Sequence, residues 1–101
     1  MTAPPSPTYD LSEIQVKVQA GLYRITFAAR RGAAHLGLGE DDIVACVLSL
    51  NVADFHKTME AEAAPGLWQD VYRSAYEQIA VYVKLQVEHE GTAIVISFKA
   101  L

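Results

Sequence analysis

Tyr82, Lys84, Ser97 and Lys99 bring a phenol, two ammonium groups and a hydroxyl into two segments where apolar and polar residues alternate. The segments read Val81-Tyr-Val-Lys-Leu-Gln-Val-Glu88 and Ala93-Ile-Val-Ile-Ser-Phe-Lys99, joined through His89-Glu-Gly-Thr92. Such alternation marks half-buried strands. With Glu90-Gly91 as a two-residue hairpin loop, Tyr82 faces Lys99 and Lys84 faces Ser97 on one side. Val83 with Phe98, Leu85 with Ile96 and Val87 with Ile94 then form an apolar opposite side. A slip of one residue would turn one strand's apolar set outward, so this register is well specified. A phenol beside an ammonium suits phosphate chemistry, because cations neutralise charge and a phenol passes a proton. Gln69 and Arg73 share one side of an earlier strand and join the candidates. The plainer reading is a wet face on which lysine stems cover apolar surface. Spacing alone does not separate the two.

The elements that must position these groups follow from local signals. Asp10-Leu-Ser-Glu13 resembles a capping box and starts a helix carrying Leu11, Ile14 and Val18, which Gly21 ends. Residues 22 to 25 form a short extended link or edge strand. Thr26 caps a second helix, Phe27 to Leu36, stopped by Gly37 and Gly39. Glu40-Asp-Asp42 sits where the positive end of a third helix dipole favours acids, ahead of Ile43, Val44, Val47 and Leu50. Residues 51 to 60 admit either a capped short helix from Asn51 or a turn into a first strand. Pro65-Gly66 marks a loop. Three strands close the chain, Trp68 to Arg73, Ile79 to Glu88 and Thr92 to Ala100. Helices first and an antiparallel sheet afterwards predict an α+β fold. Residues 1–9 read as a flexible N-terminal tail and residues 10–101 as one domain.

The totals narrow the function. A chain of 101 residues makes one domain with a real core. It has no apolar run long enough for a membrane span and no signal-peptide pattern. Its one cysteine excludes an internal disulfide and fits a reducing cytoplasm. The net charge of −4 opposes general nucleic-acid binding, so any RNA site must be a local patch. Residues 11 to 59 are neutral, with Lys17, Arg24, Arg30, Arg31 and Lys57 against Glu13, Glu40, Asp41, Asp42 and Asp54. His35, His56 and His89 lie far apart, and no metal-binding spacing occurs. Cys46 lies in the run Ile43 to Leu50 and reads as a buried small hydrophobe rather than a nucleophile. The acids at 40 to 42 read as a helix start.

Trp68-Gln-Asp-Val-Tyr-Arg73, with Asp54-Phe-His-Lys57, Val81-Tyr-Val-Lys84 and Val95-Ile-Ser-Phe-Lys99, resembles the MqsR family of bacterial toxins. Ala20-Gly21, Arg24 and Leu36-Gly-Leu38 are similar to the helical half of that family, and the likeness runs from about Leu11 to Lys99. The resemblance implies a RelE-like toxin fold and the toxin of a type II toxin-antitoxin system. It implies an endoribonuclease that cuts mRNA at short GC-containing triplets, without a metal ion or other cofactor, and so arrests growth. The functional positions carried over are Lys57, Gln69, Tyr82 and Lys99 as catalytic residues. His56, Arg73 and Lys84 are the expected substrate-binding residues. His56 departs from the tyrosine common at that place, and the acidic balance and short end Ala100-Leu101 depart from a basic family; the latter predicts weaker RNA affinity.

The mechanism expected from these residues is attack of a ribose 2′-OH on the adjacent phosphorus. Lys57 and Lys99 would stabilise charge, Tyr82 would transfer the proton, and Gln69 would orient the phosphate or a base edge. Tyr82 as a base needs its pKa of about 10 lowered by an ammonium, whereas as an acid it needs no shift. The products would be a 2′,3′-cyclic phosphate and a 5′-hydroxyl. The implied partners are mRNA and a cognate MqsA-like antitoxin with zinc-binding and helix-turn-helix domains, in the cytoplasm, with no membrane and no direct DNA contact. Two other classes remain open: a catalytically weak module that retains antitoxin binding, and an unrelated sheet protein that binds a small ligand on the same face.

Overall fold

Asp10 starts the first helix by accepting the backbone N–H of Ser12 at 2.9 Å, and α1 runs over Leu11–Gln19. The computed structural model describes residues 6–101. Leu11, Ile14 and Val18 are buried, and Gly21 takes a φ of +81°, which lets the chain leave the helix without a Cβ clash. Thr26 caps α2, Phe27–His35, by accepting the N–H of Ala29 at 3.0 Å. Asp42 caps α3, Glu40–Ser49, through the N–H of Gly39 at 2.9 Å. Its other carboxylate oxygen accepts the hydroxyl of Tyr76 at 2.8 Å, tying the helix to the sheet. Among the described residues no helix is long and apolar enough to cross a membrane.

The sheet has five strands: β1 Tyr23–Ile25, β2 Phe55–Glu60, β3 Trp68–Tyr76, β4 Ile79–Val87 and β5 Ala93–Ala100. Their order is β1-β5-β4-β3-β2; β1 is parallel to β5 and every other pair is antiparallel. The fold is α+β. The link at 22 to 25 is an edge strand, and residues 51 to 60 satisfy both readings, with a 3-10 turn at Val52–Asp54 leading into β2. β1 and β2 therefore join the three closing strands in one sheet, and the first of those three continues past Arg73 to Tyr76. All three helices pack on one face against Tyr72, Val81, Val83, Leu85, Ala93, Val95 and Phe98.

The β4–β5 hairpin departs from the expected register in half its length. Glu88 pairs with Thr92, and Gly91 at φ +97° closes a three-residue loop, His89 to Gly91, in place of the two-residue turn. Val87 then opposes Ala93 and Leu85 opposes Val95, so Ile94 faces away from the helices, opposite Gln86. Between Lys84 and Leu85 the register shifts by one at Ile96, and beyond this β-bulge Lys84 opposes Ser97 and Tyr82 opposes Lys99, as expected. Ile94 and Ile96 thus lie outside the helix-facing cluster, although Ile94 is still buried, on the other face. Of residues 1–9, the first five lie outside the described residues. Thr8 and Tyr9 are fixed by the buried Asp70, which accepts both backbone N–H groups at 2.9 Å.

Candidate active site

The face of the sheet opposite the helices carries the candidate residues in three cross-strand rows. The first is Arg73, Tyr82 and Lys99 on β3, β4 and β5. The second is Lys57, Val71, Lys84 and Ser97, running from β2 to β5. The third contains Met59, Gln69, Gln86 and Ile94. Neighbouring strands lie about 4.8 Å apart, and same-face residues on one strand about 7 Å apart. Tyr82 and Lys99 are direct neighbours, whereas Lys57 stands on the edge strand two strands from Tyr82, and Gln69 belongs to a different row.

Tyr82 is the centre of the tightest cluster. The Lys99 ammonium lies 4.9 Å from the centroid of its ring and the Lys84 ammonium 5.9 Å, both within the reach of cation–π attraction. Arg73 is its cross-strand partner on the other side. His56 occupies an irregularity in the β2–β3 pairing, between the paired residues Phe55 and Lys57. Its imidazole is held below the ordinary value of 6.5, first by partial desolvation and then by the positive charges of Arg73 and Lys57. That dependence ties His56 to the same electrostatic cluster. Gln69 donates to Gln86 at 2.9 Å. Gln86 is a member of this face that the sequence reading passed over, although its alternation with Tyr82 and Lys84 was the available signal.

The electrostatics of the face differ from those of the whole chain. The ion pairs among the described residues are Arg24 with Glu88 and Arg30 with Glu40. Lys57, Arg73, Lys84 and Lys99 join neither, so half of the eight basic side chains stand on one face without an acidic partner. The buried acid nearest in sequence, Asp70, is occupied by Thr8 and Tyr9. Val71 is fully buried although it lies outside the helix-facing core, as expected where long polar side chains lay their stems over an apolar floor.

The remaining titratable candidates lie elsewhere. Cys46 is buried in the helical core, and desolvation, with a smaller contribution from Asp54, pushes its thiol up to about 11. His35 closes α2 and His89 sits in the β4–β5 loop. Among the described residues, no three His, Cys, Asp or Glu side chains gather in a way that could hold a metal ion.

Comparison with known proteins meets this geometry from another direction. Residues 6–100 match the family model described as motility quorum-sensing regulator, toxin of MqsA. The mRNA interferase toxin MqsR of Escherichia coli (strain K12) is 35% identical over 94 residues, covering 93% of this chain and 94% of that protein. A family match over nearly the whole length and a full-length relative agree: the chain belongs to the MqsR toxin family.

Proposed function

We propose that this chain is the toxin of a toxin-antitoxin pair and acts as an endoribonuclease on messenger RNA, through the open face of its sheet. The observation that carries the reading is the Tyr82 ring with two ammonium groups at 4.9 and 5.9 Å, on a face with four unpaired cations. The relative's name, an mRNA interferase toxin, supports the substrate. In the scheme, Lys99 and Lys57 stabilise the negative charge that builds on the phosphorane oxygens. Tyr82 transfers the proton between the attacking 2′-hydroxyl and the leaving 5′-oxygen. Gln69, fixed by Gln86, orients the phosphate or a base edge, while Arg73, Lys84 and His56 hold the flanking backbone. The 2′-oxygen to phosphorus bond forms as the phosphorus to 5′-oxygen bond breaks, leaving a 2′,3′-cyclic phosphate and a 5′-hydroxyl. No metal ion is needed in this scheme, and cleavage falls at short GC-containing triplets.

The partner proposed for the chain is an MqsA-like antitoxin with zinc-binding and helix-turn-helix parts, supported by the family's description as toxin of MqsA. The deciding experiment is cleavage of a defined transcript in EDTA, with both new ends mapped. A 5′-hydroxyl end and loss of activity in Lys99→Ala, with an unchanged circular dichroism spectrum, support the scheme; a 5′-phosphate end, or a divalent-metal requirement, overturns it. The net charge of −4 favours one second reading, a module that binds its antitoxin but cleaves poorly. Expression of the wild-type chain without antitoxin separates the two, because only an active nuclease arrests growth.

A further inference from the structure

We propose that the groove between α2 and β5, walled by Phe27, Arg31, His35 and Lys99, holds a nucleotide of single-stranded RNA next to the cleaved phosphodiester. The proposal rests on the nuclease reading of the open face and adds a subsite beside it. Phe27, Arg31 and His35 recur every four residues along α2 and so form one stripe. The helix places Ala29 and Ala33 in the core, which leaves that stripe free. Phe27 is 75% exposed. A single exposed aromatic needs no explanation by itself. Here the company it keeps gives it one.

Gly32 decides how close the stripe comes to the sheet. A Cβ at this position would collide with the carbonyl oxygen of Phe98, so α2 lies directly on the β5 backbone. The small residues Ala28 and Gly32 make the floor, and Ser97 and Lys99 make the far wall, of a groove of about 410 Å3. That volume is at the small end of the ~300–1,000 Å3 typical of ligand sites and suits one nucleotide. Among the described residues no acidic side chain lines it. Arg31 is in neither ion pair, although its neighbour Arg30 is held by Glu40 at 2.8 Å.

Lys99 joins the two sites. Its ammonium is 4.9 Å from the Tyr82 ring, and the same residue walls the groove. A strand whose phosphate sits at Tyr82 and Lys99 therefore leads its adjoining nucleotide toward α2. An exposed aromatic face with a guanidinium beside it is the chemistry that holds an unstacked base and its phosphate. The stacking face distinguishes no particular base, so the groove adds affinity and positioning along the strand rather than triplet choice.

The test measures binding of a fluorescent 2′-O-methyl oligonucleotide, which cannot be cleaved, and cleavage of the same sequence as RNA. The variants are Phe27→Ala, Phe27→Trp and Arg31→Ala, with Val52→Ala as an exposed apolar control. Phe27→Ala is expected to weaken binding about 5- to 150-fold, the range for loss of one stacked base. Phe27→Trp and Val52→Ala should bind as the wild type does, and Arg31→Ala should bind more weakly with a shallower salt dependence. Wild-type affinity in both Phe27→Ala and Arg31→Ala overturns the groove, including the case in which it holds an acidic peptide instead. If those variants also cleave normally, the nuclease reading stands without it. A wild-type chain that binds the oligonucleotide through Phe27 but never cuts RNA reverses that outcome. A wild-type chain that does neither overturns both.

Discussion

Two ammonium groups sit near the Tyr82 ring, and the ring's quadrupole attracts them whatever its hydroxyl does. In the proposed scheme the side chain has two separable contributions, a ring that attracts lysines and a hydroxyl that would move a proton. Tyr82→Phe keeps the first and removes the second. RNA affinity should stay within a few-fold of wild type, while single-turnover cleavage should fall by about 10²–10⁴, the usual worth of a positioned acid or base. Unchanged cleavage would reduce Tyr82 to a platform. His56 supplies a pH signature at the same scale. Its folded value lies below 6.5, so protonation favours the unfolded chain; its contribution to stability is present above pH 6.5 and lost as pH falls through the lowered value. Bound phosphate works the other way, because it favours the imidazolium. RNA affinity should therefore rise as pH falls below 6.5, and His56→Gln should flatten that rise in anisotropy titrations at several pH values.

At the scale of elements, the two β-hairpins differ in how well their turns suit them. The turn between β3 and β4 places Glu77 at φ +50° and Gln78 at φ +68°, a left-handed conformation that ordinary side chains resist and Asn-Gly accepts. Replacing Glu77 and Gln78 by Asn and Gly should stabilise the domain by about 1–2 kcal/mol, read from the urea midpoint at unchanged slope. Asp70→Ala should act in the opposite direction. It removes the acceptor for two backbone N–H groups and should cost about 2–4 kcal/mol, with exchange protection lost at Thr8 and Tyr9. Those two features also mark where the sequence was silent. Gln78 gives no glycine signal for its turn, and although the alternation of β3 puts Asp70 on the side away from Gln69 and Arg73, nothing local says that it would hold the N-terminal segment. Caps were legible at Asp10 and Thr26, and the start of α3 at its acids, because each such signal lies within a few residues of its own target in the chain. The Tyr82–Lys99 pair was legible because apolar alternation fixes which face each residue takes. The pairing closer to the loop was not. The loop is one residue longer than Glu90-Gly91 suggested, which shifts the register by one, and the bulge at Ile96 shifts it back. Without that bulge, the alternation starting at Ala93 would point Phe98 outward and Lys99 into the core. Thr26 fixes the bulge by donating its hydroxyl to the Ile96 carbonyl at 2.7 Å, a contact across seventy positions that no local pattern encodes.

For the whole molecule, the question is how a chain of net charge −4 engages a polyanion. The answer offered by the fold is segregation. Two of the basic side chains are paired with acids, Arg24 with Glu88 and Arg30 with Glu40, while Lys57, Arg73, Lys84 and Lys99 share one face unpaired. Screening at physiological salt has a length of about 8 Å, so acids on the far side of the domain weigh little on a phosphate at that face. Counterion release makes the arrangement countable. Each phosphate neutralised on a single strand contributes about −0.7 to the slope of log affinity against log salt. Four engaged cations give a slope of roughly −3, and an added contact at Arg31 would steepen it to about −3.5. Lys57→Ala and Arg73→Ala should each flatten the slope by about 0.7, whereas Lys17→Ala, on α1, should leave it unchanged. A slope near zero in the wild type, or an equal response to Lys17→Ala, would mean that RNA is held by diffuse attraction or not at all, and the open face would lose its claim to the substrate.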